Sequence, residues 1–109
     1  MTNVTFQKEN NDTINLIVDG IECGKLELAS EGFNDFRIEK VHIDEPQRGN
    51  GFYKMLLISC FSILGAKTVR SEKRNYRSNP IYQAWTGEEL EEETPVWITL
   101  NGEKLEFTI

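Results

Sequence analysis

Two cysteines, one histidine and three prolines are all that this chain of 109 residues offers of the residues that cross-link, ligate metals or stiffen small proteins. Cys23 and Cys60 do not form a CxxC pair, and His42 alone leaves too few ligands for a structural zinc site. Cys60 stands inside an apolar run and reads as a small buried hydrophobe rather than a nucleophile. Long hydrophobic runs are lacking as well. The longest, from Met55 to Ala66, is interrupted by Ser59 and Ser62 and falls far short of the roughly 20 residues that cross a bilayer. With no recognisable secretory leader, the expectation is a cytoplasmic protein without a membrane partner.

Basic residues are outnumbered, 12 Lys and Arg against 18 Asp and Glu, for a net charge of −6. They are also unevenly placed. Between Arg48 and Arg77 seven basic residues stand with one acid, Glu72, so that stretch carries +6 and the remainder −12. Such an island suits one compact anion, while the acidic remainder attracts cations; a basic face balanced by acidic neighbours is the plainer alternative. Nucleic acid is not the expected partner. Hydrophobic residues at 39% and charged residues at 28% fit a soluble globular chain, and the length suffices for one core, hence one domain over residues 1–109.

Val4 to Lys8 and Thr13 to Val18 read as strands around the turn Glu9-Asn10-Asn11-Asp12. Asp19-Gly20 marks a tight hairpin into Ile21 to Ala29, and after Gly32 comes a fourth strand, Phe36 to Ile43. Gly51 to Leu64 reads as a helix that is apolar on most of its circumference, with Gly65 as its stop. Lys67 to Glu72 is a short strand and Pro80 to Trp85 a second helix. Glu88 to Pro95 is an acidic connector. Val96 to Leu100 and Lys104 to Ile109 flank Asn101-Gly102, a strong hairpin signal. The order is β-β-β-β-α-β-α-β-β, an α+β chain with about seven strands.

Between the fourth strand and the first helix lies Asp44-Glu45-Pro46-Gln47-Arg48-Gly49-Asn50-Gly51. Glycines at alternate positions let the backbone turn sharply, and a helix start offers unpaired N–H donors and the positive end of a dipole, a place for phosphate. Glycines alone are a weak signal, since GxG before a helix can be a turn and a cap. No Gly-Lys-Ser/Thr follows, so the loop is not a Walker loop. It is not a dinucleotide fingerprint either, because the third glycine is missing.

The run Ile43-Asp44-Glu45-Pro46-Gln47-Arg48-Gly49-Asn50-Gly51-Phe52-Tyr53-Lys54-Met55-Leu56-Leu57 resembles the coenzyme-A loop of the GNAT acetyltransferase superfamily, R/Q-x-x-G-x-G/A followed by a helix. Arg48 matches the first position and Gly51 the central glycine, while Tyr53 stands where Gly or Ala is usual. Downstream, Asn75, Ser78 and Tyr82 have the spacing of a second signature in the same family. The usual Gly-Phe beyond it is replaced by Trp85-Thr86-Gly87. The resemblance covers about residues 14–109.

What it implies is a mostly antiparallel mixed sheet and transfer of an acetyl group from acetyl-CoA to an amine. It implies coenzyme A held by Arg48, Gly49, Asn50, Gly51, Phe52 and Tyr53, with Asn75 and Ser78 along its pantetheine arm. The backbone of Val41 and Ile43 would polarise the acetyl carbonyl. Tyr82 would protonate the leaving thiolate. Glu39 is the favoured base and His42 the second candidate; alternation puts Glu39 with Val41 and Ile43 on one face and His42 with Lys40 on the other. No metal is implied. Each residue has a plainer role: Tyr82 as a packed core residue, Asn75 as a helix cap, Arg74 and Arg77 as surface charges, although the place of the two arginines beside a phosphate site favours binding the coenzyme's outer phosphates. Family members carry two helices between the first two strands, and here only Glu9 to Asp12 stands there. An open acceptor side suits a protein lysine or N-terminus, and equally a non-catalytic module that binds coenzyme A, a partner protein or nucleic acid.

Overall fold

The computed structural model describes residues 2–71 and 73–109. Seven strands form one sheet in chain order: β1 (Val4–Asn10), β2 (Thr13–Val18), β3 (Ile21–Gly32), β4 (Asp35–Ile43), β5 (Thr68–Ser71), β6 (Val96–Asn101) and β7 (Lys104–Thr108). Two helices interrupt them, α1 (Phe52–Ile63) before β5 and α2 (Asn79–Thr86) after it. Neighbouring strands are antiparallel except β4 and β5. A parallel pair needs a crossover, and α1 supplies it. The expected order is therefore the observed one. The expected end of β5 at Glu72 lies outside the described residues.

Turn chemistry sets the hairpins. Asp19 and Gly20 both take positive φ, 51° and 82°, which a two-residue turn matched to strand twist requires. At the last hairpin Asn101 pairs with Lys104, so the turn falls on Gly102-Glu103, one residue later than the sequence motif reads. Gly102 is the residue with positive φ there, at 65°, and it takes the first central position of the turn.

Strand alternation separates the sheet into two unlike faces. Register aligns Val4, Phe6, Ile14, Leu16, Val18, Leu26, Leu28, Phe36, Val69, Ile98 and Phe107 on one face, and α1 and α2 cover it. Leu56, Leu57 and Cys60 of α1 are fully buried there. Met55 and Ile63 remain 42% and 37% exposed, so α1 is buried along one flank rather than around most of its circumference. Its end matches the expectation: Gly65 has φ 70°, and Ala66 N–H bonds back to Cys60 O at 3.2 Å, the closing bond of a glycine-stopped helix.

The opposite face is polar and carries ion pairs: Lys25 with Glu9 (3.1 Å) and Glu22 (3.7 Å), Arg37 with Glu39 (2.6 Å), and Arg70 with Glu31. Between β1 and β2 there is only a tight turn, tied by Asp12 N–H to Asn10 Oδ1 at 3.0 Å. No helix of the described residues is long and apolar enough to cross a membrane.

Candidate functional site

The parallel pair β4–β5 is short. Asp35, Phe36 and Arg37 pair with Thr68, Val69 and Arg70, after which the strands part. The parting coincides with a β-bulge: Glu27 pairs with Lys40 and Leu28 with Ile38, leaving Glu39 as an extra residue on β4. A bulge bends its strand and raises its twist, which swings the end of β4 away from β5. Beyond it, Asp44 N–H bonds to Cys23 O at 2.8 Å, on the β3 side. Because successive backbone groups point to opposite edges, the N–H and C=O of Val41 and Ile43 turn toward the edge that β5 has left. Consistent with that direction, Ile43 O accepts a bond from Arg48 Nε at 2.8 Å.

After β4 the chain makes a single 3-10 turn, Glu45–Gln47, and enters the glycine loop. Gly49 and Gly51 lie in the left-handed region, φ 82° and 77°, with open space where a Cβ would stand. Asn50 Nδ2 donates to Gln47 O at 3.1 Å and fixes the loop internally. Gly51 caps α1 without any side-chain hydrogen bond. The first N–H groups of the helix, from Phe52, Tyr53 and Lys54, therefore face outward with the dipole behind them. The residues present fit a pyrophosphate: a left-handed glycine turn, an uncapped helix start, and the exposed cations Arg48 and Lys54.

Asn75 and Ser78 form a reciprocal pair. Asn75 Oδ1 accepts from the N–H of Arg77 (2.9 Å) and Ser78 (2.8 Å), while Ser78 Oγ accepts from Asn75 N–H (3.1 Å). The bonds brace the turn that leads into α2, whose own N-cap, Ser78, makes no side-chain capping bond to the helix; Asn75 itself is exposed. Arg74 differs from both expected roles. It is neither a surface charge nor a phosphate ligand, being only 4% exposed. Its guanidinium donates to Asn79 Oδ1 (2.8 Å), Thr94 O (2.7 Å) and Glu91 O (2.8 Å), and lies 5.3 Å from the centre of the Tyr82 ring. Nothing in the sequence next to Arg74 signals this, because the carbonyls it serves lie 17 and 20 positions further on. The basic island thus loses Arg74 to the interior, and Arg70 is engaged by Glu31 on the polar face.

Tyr82 is fully buried. Its ring meets Tyr53, Trp85 and Phe107 edge-on at 6.0, 5.1 and 6.3 Å between centroids. Its hydroxyl lies 3.1 Å from the Tyr53 hydroxyl and against the Ser71 side chain. Burial raises the pKa of both tyrosines; the bonds from Tyr53 and Ser71 partly offset the effect at Tyr82. Burial lowers that of Arg74, with the two tyrosines acting in the opposite direction. The sequence marked Tyr53 as a departure from pattern but gave no sign that it reaches Tyr82.

The two base candidates fall on the polar face. The bulge overturns the simple alternation, placing Glu39 with Arg37 rather than beside Val41 and Ile43. His42 pairs in register with Lys25, and its Nε2 lies 2.9 Å from Asp44 Oδ1. Among the described residues no three His, Cys, Asp or Glu side chains are placed to share a metal ion.

No protein-family model and no curated protein matches the sequence. Among solved structures, one described as "putative N-acetyltransferase from Lactobacillus plantarum" superposes with a TM-score of 0.51 at 15% sequence identity. The alignment covers 82% of this chain and 68% of that one. At this identity the likeness is one of architecture: the chain shares the α+β fold of that protein, a seven-stranded mixed sheet with two helices.

Proposed function

We propose that the chain binds acetyl-CoA and transfers its acetyl group to an amine on an exposed acceptor, such as a protein lysine or N-terminus. The observation that carries this reading is the parting of β4 and β5 beside the uncapped start of α1, within an N-acetyltransferase fold. Acetyl-CoA supplies an activated acyl group and a thiol leaving group. The amides of Gly49 to Tyr53, with Arg48, hold the pyrophosphate, and the parted edge takes the pantetheine arm past the Asn75–Ser78 turn. N–H groups of Val41 and Ile43 lie where a polarised carbonyl oxygen would need donors. Tyr82, kept protonated by burial, is the acid for the departing thiolate. Glu39, at the parting and open to solvent, is the base that receives the amine proton, directly or through water.

The polar face, with ion pairs and no covering helix, is the acceptor side. Its carboxylates attract cationic groups, which suits a lysine-rich surface better than a small enclosed amine. A second reading, a coenzyme-binding module without catalysis, is favoured by one observation: the Tyr82 hydroxyl is closed off in the free chain. Calorimetry with acetyl-CoA tests the binding. Thiol release in the presence of a lysine-rich peptide, with an added acetyl mass on the peptide, separates the two readings.

A further inference from the structure

Tyr82 has no exposed surface, and among the described residues its hydroxyl meets two hydrogen-bonding groups, Ser71 and the Tyr53 hydroxyl at 3.1 Å. Anything that is to touch that oxygen has to take one of those places. Ser71 is 2% exposed and lies on β5, where it pairs with Val96. Tyr82 itself is held by the Arg74 guanidinium on its ring and by Trp85 and Phe107. Tyr53 is the member able to yield. It stands in the first turn of α1, two residues after the left-handed Gly51, and is half-buried. Its ring meets Tyr82 and Trp85 by edge contacts, and among the described residues its hydroxyl makes one hydrogen bond, to Tyr82.

We propose that Tyr53 is a gating residue: in the free chain it occupies the place in front of Tyr82, and an acyl thioester displaces it to reach the Tyr82 hydroxyl. The proposal rests on the acetyl-CoA reading above and accounts for how a fully buried tyrosine meets a substrate. A small residue in this position, as in the loop pattern the sequence resembles, leaves the path open; a tyrosine adds a step. Displacing Tyr53 breaks its hydroxyl contact and its edge contacts with Trp85, so the closed state lowers the apparent affinity by the fraction of chains that are open.

The test is calorimetric titration of wild type, Tyr53→Phe and Tyr53→Ala with acetyl-CoA, with Trp85 fluorescence as a second signal. Trp97, 42% exposed on the polar face, is replaced by Phe in the fluorescence samples so that Trp85 reports alone. Tyr53→Phe keeps the ring and loses the hydrogen bond, so its Kd falls by about 2- to 10-fold. Acetyl-CoA changes Trp85 emission in the wild type, and less in Tyr53→Ala, where no ring is there to leave. Binding by Tyr53→Ala with none by wild type also supports the gate. Saturable binding by wild type, with an equal or weaker Kd in Tyr53→Phe, overturns the gate and leaves the acetyl-CoA reading standing. No binding by any of the three overturns both.

Discussion

Arg74 Nε is bonded to Asn79 Oδ1 at 2.8 Å, and each residue reaches on to the acidic connector: Arg74 to the carbonyls of Glu91 and Thr94, Asn79 Nδ2 to that of Leu90 at 2.8 Å. One buried cation thereby fixes the start of α2, and with it the position of Tyr82.

Arg74→Met removes these donors and leaves the connector carbonyls without partners. It should destabilise the fold by about 2–4 kcal/mol. Arg74→Lys should recover little, because an ammonium cannot present the same planar fork. Urea unfolding of both variants checks this; a loss under about 0.5 kcal/mol in Arg74→Met contradicts it.

Two glycines separate backbone strain from steric clash. Gly51→Ala keeps a residue at φ 77° with open space around it, so the cost is conformational, about 1–2 kcal/mol, together with weaker acetyl-CoA binding as the loop shifts. At Gly24 a Cβ would stand 2.8 Å from His42 O and 3.3 Å from Leu16 Cδ2. Gly24→Ala should therefore cost about 1–3 kcal/mol through repacking of β3 against β4. Equal thermal stability of wild type and both variants would contradict the geometry.

Stability should decline on the alkaline side. Burial pushes the Cys60 thiol from 9.0 up to about 12. A group whose folded pKa is raised contributes fully below its unfolded pKa and loses that contribution as pH rises toward the folded one, here between pH 9 and about 12. Tyr53 and Tyr82, also raised, act in the same direction at higher pH. Urea midpoints measured across this range should fall for the wild type. They should fall less steeply for Cys60→Ala, whose stability at pH 7 is lower because of the cavity. Parallel profiles for the two proteins contradict the assignment.

Tyr82→Phe and Glu39→Gln probe the transfer step. Each should lower turnover by about 10²–10⁴-fold, the range for positioned acids and bases; acetyl-CoA affinity stays within a few-fold of wild type in Glu39→Gln, and tightens by about 2- to 10-fold in Tyr82→Phe, which loses the bond to Tyr53. With Tyr82 kept protonated by burial, the wild-type rate should show no acid loss below pH 9. Full turnover by Tyr82→Phe removes the acid assignment, and full turnover by Glu39→Gln shifts the base to His42.

The sequence carried the element order because each element depends on local chemistry: alternation in the strands, Asp19-Gly20 and Gly102 at hairpins, Gly65 at the end of the first helix. It carried the glycine loop for the same reason. What it missed is long-range. The bulge at Glu39 arises from register against β3, and no pattern within β4 announces it. Arg74 looks like its exposed neighbours until the connector folds over it. Tyr53 and Tyr82 are separated by 29 positions, so their contact follows only from the packing of α1 on α2.

In the proposed reading the glycine loop, the start of α1 and the parted edge of β4 together bind acetyl-CoA. Calorimetric titration of the folded wild-type chain and Tyr53→Ala with acetyl-CoA tests it most directly. Saturable one-to-one binding, weakened by Gly51→Ala, is the expected result. Absence of saturable binding in both proteins contradicts it.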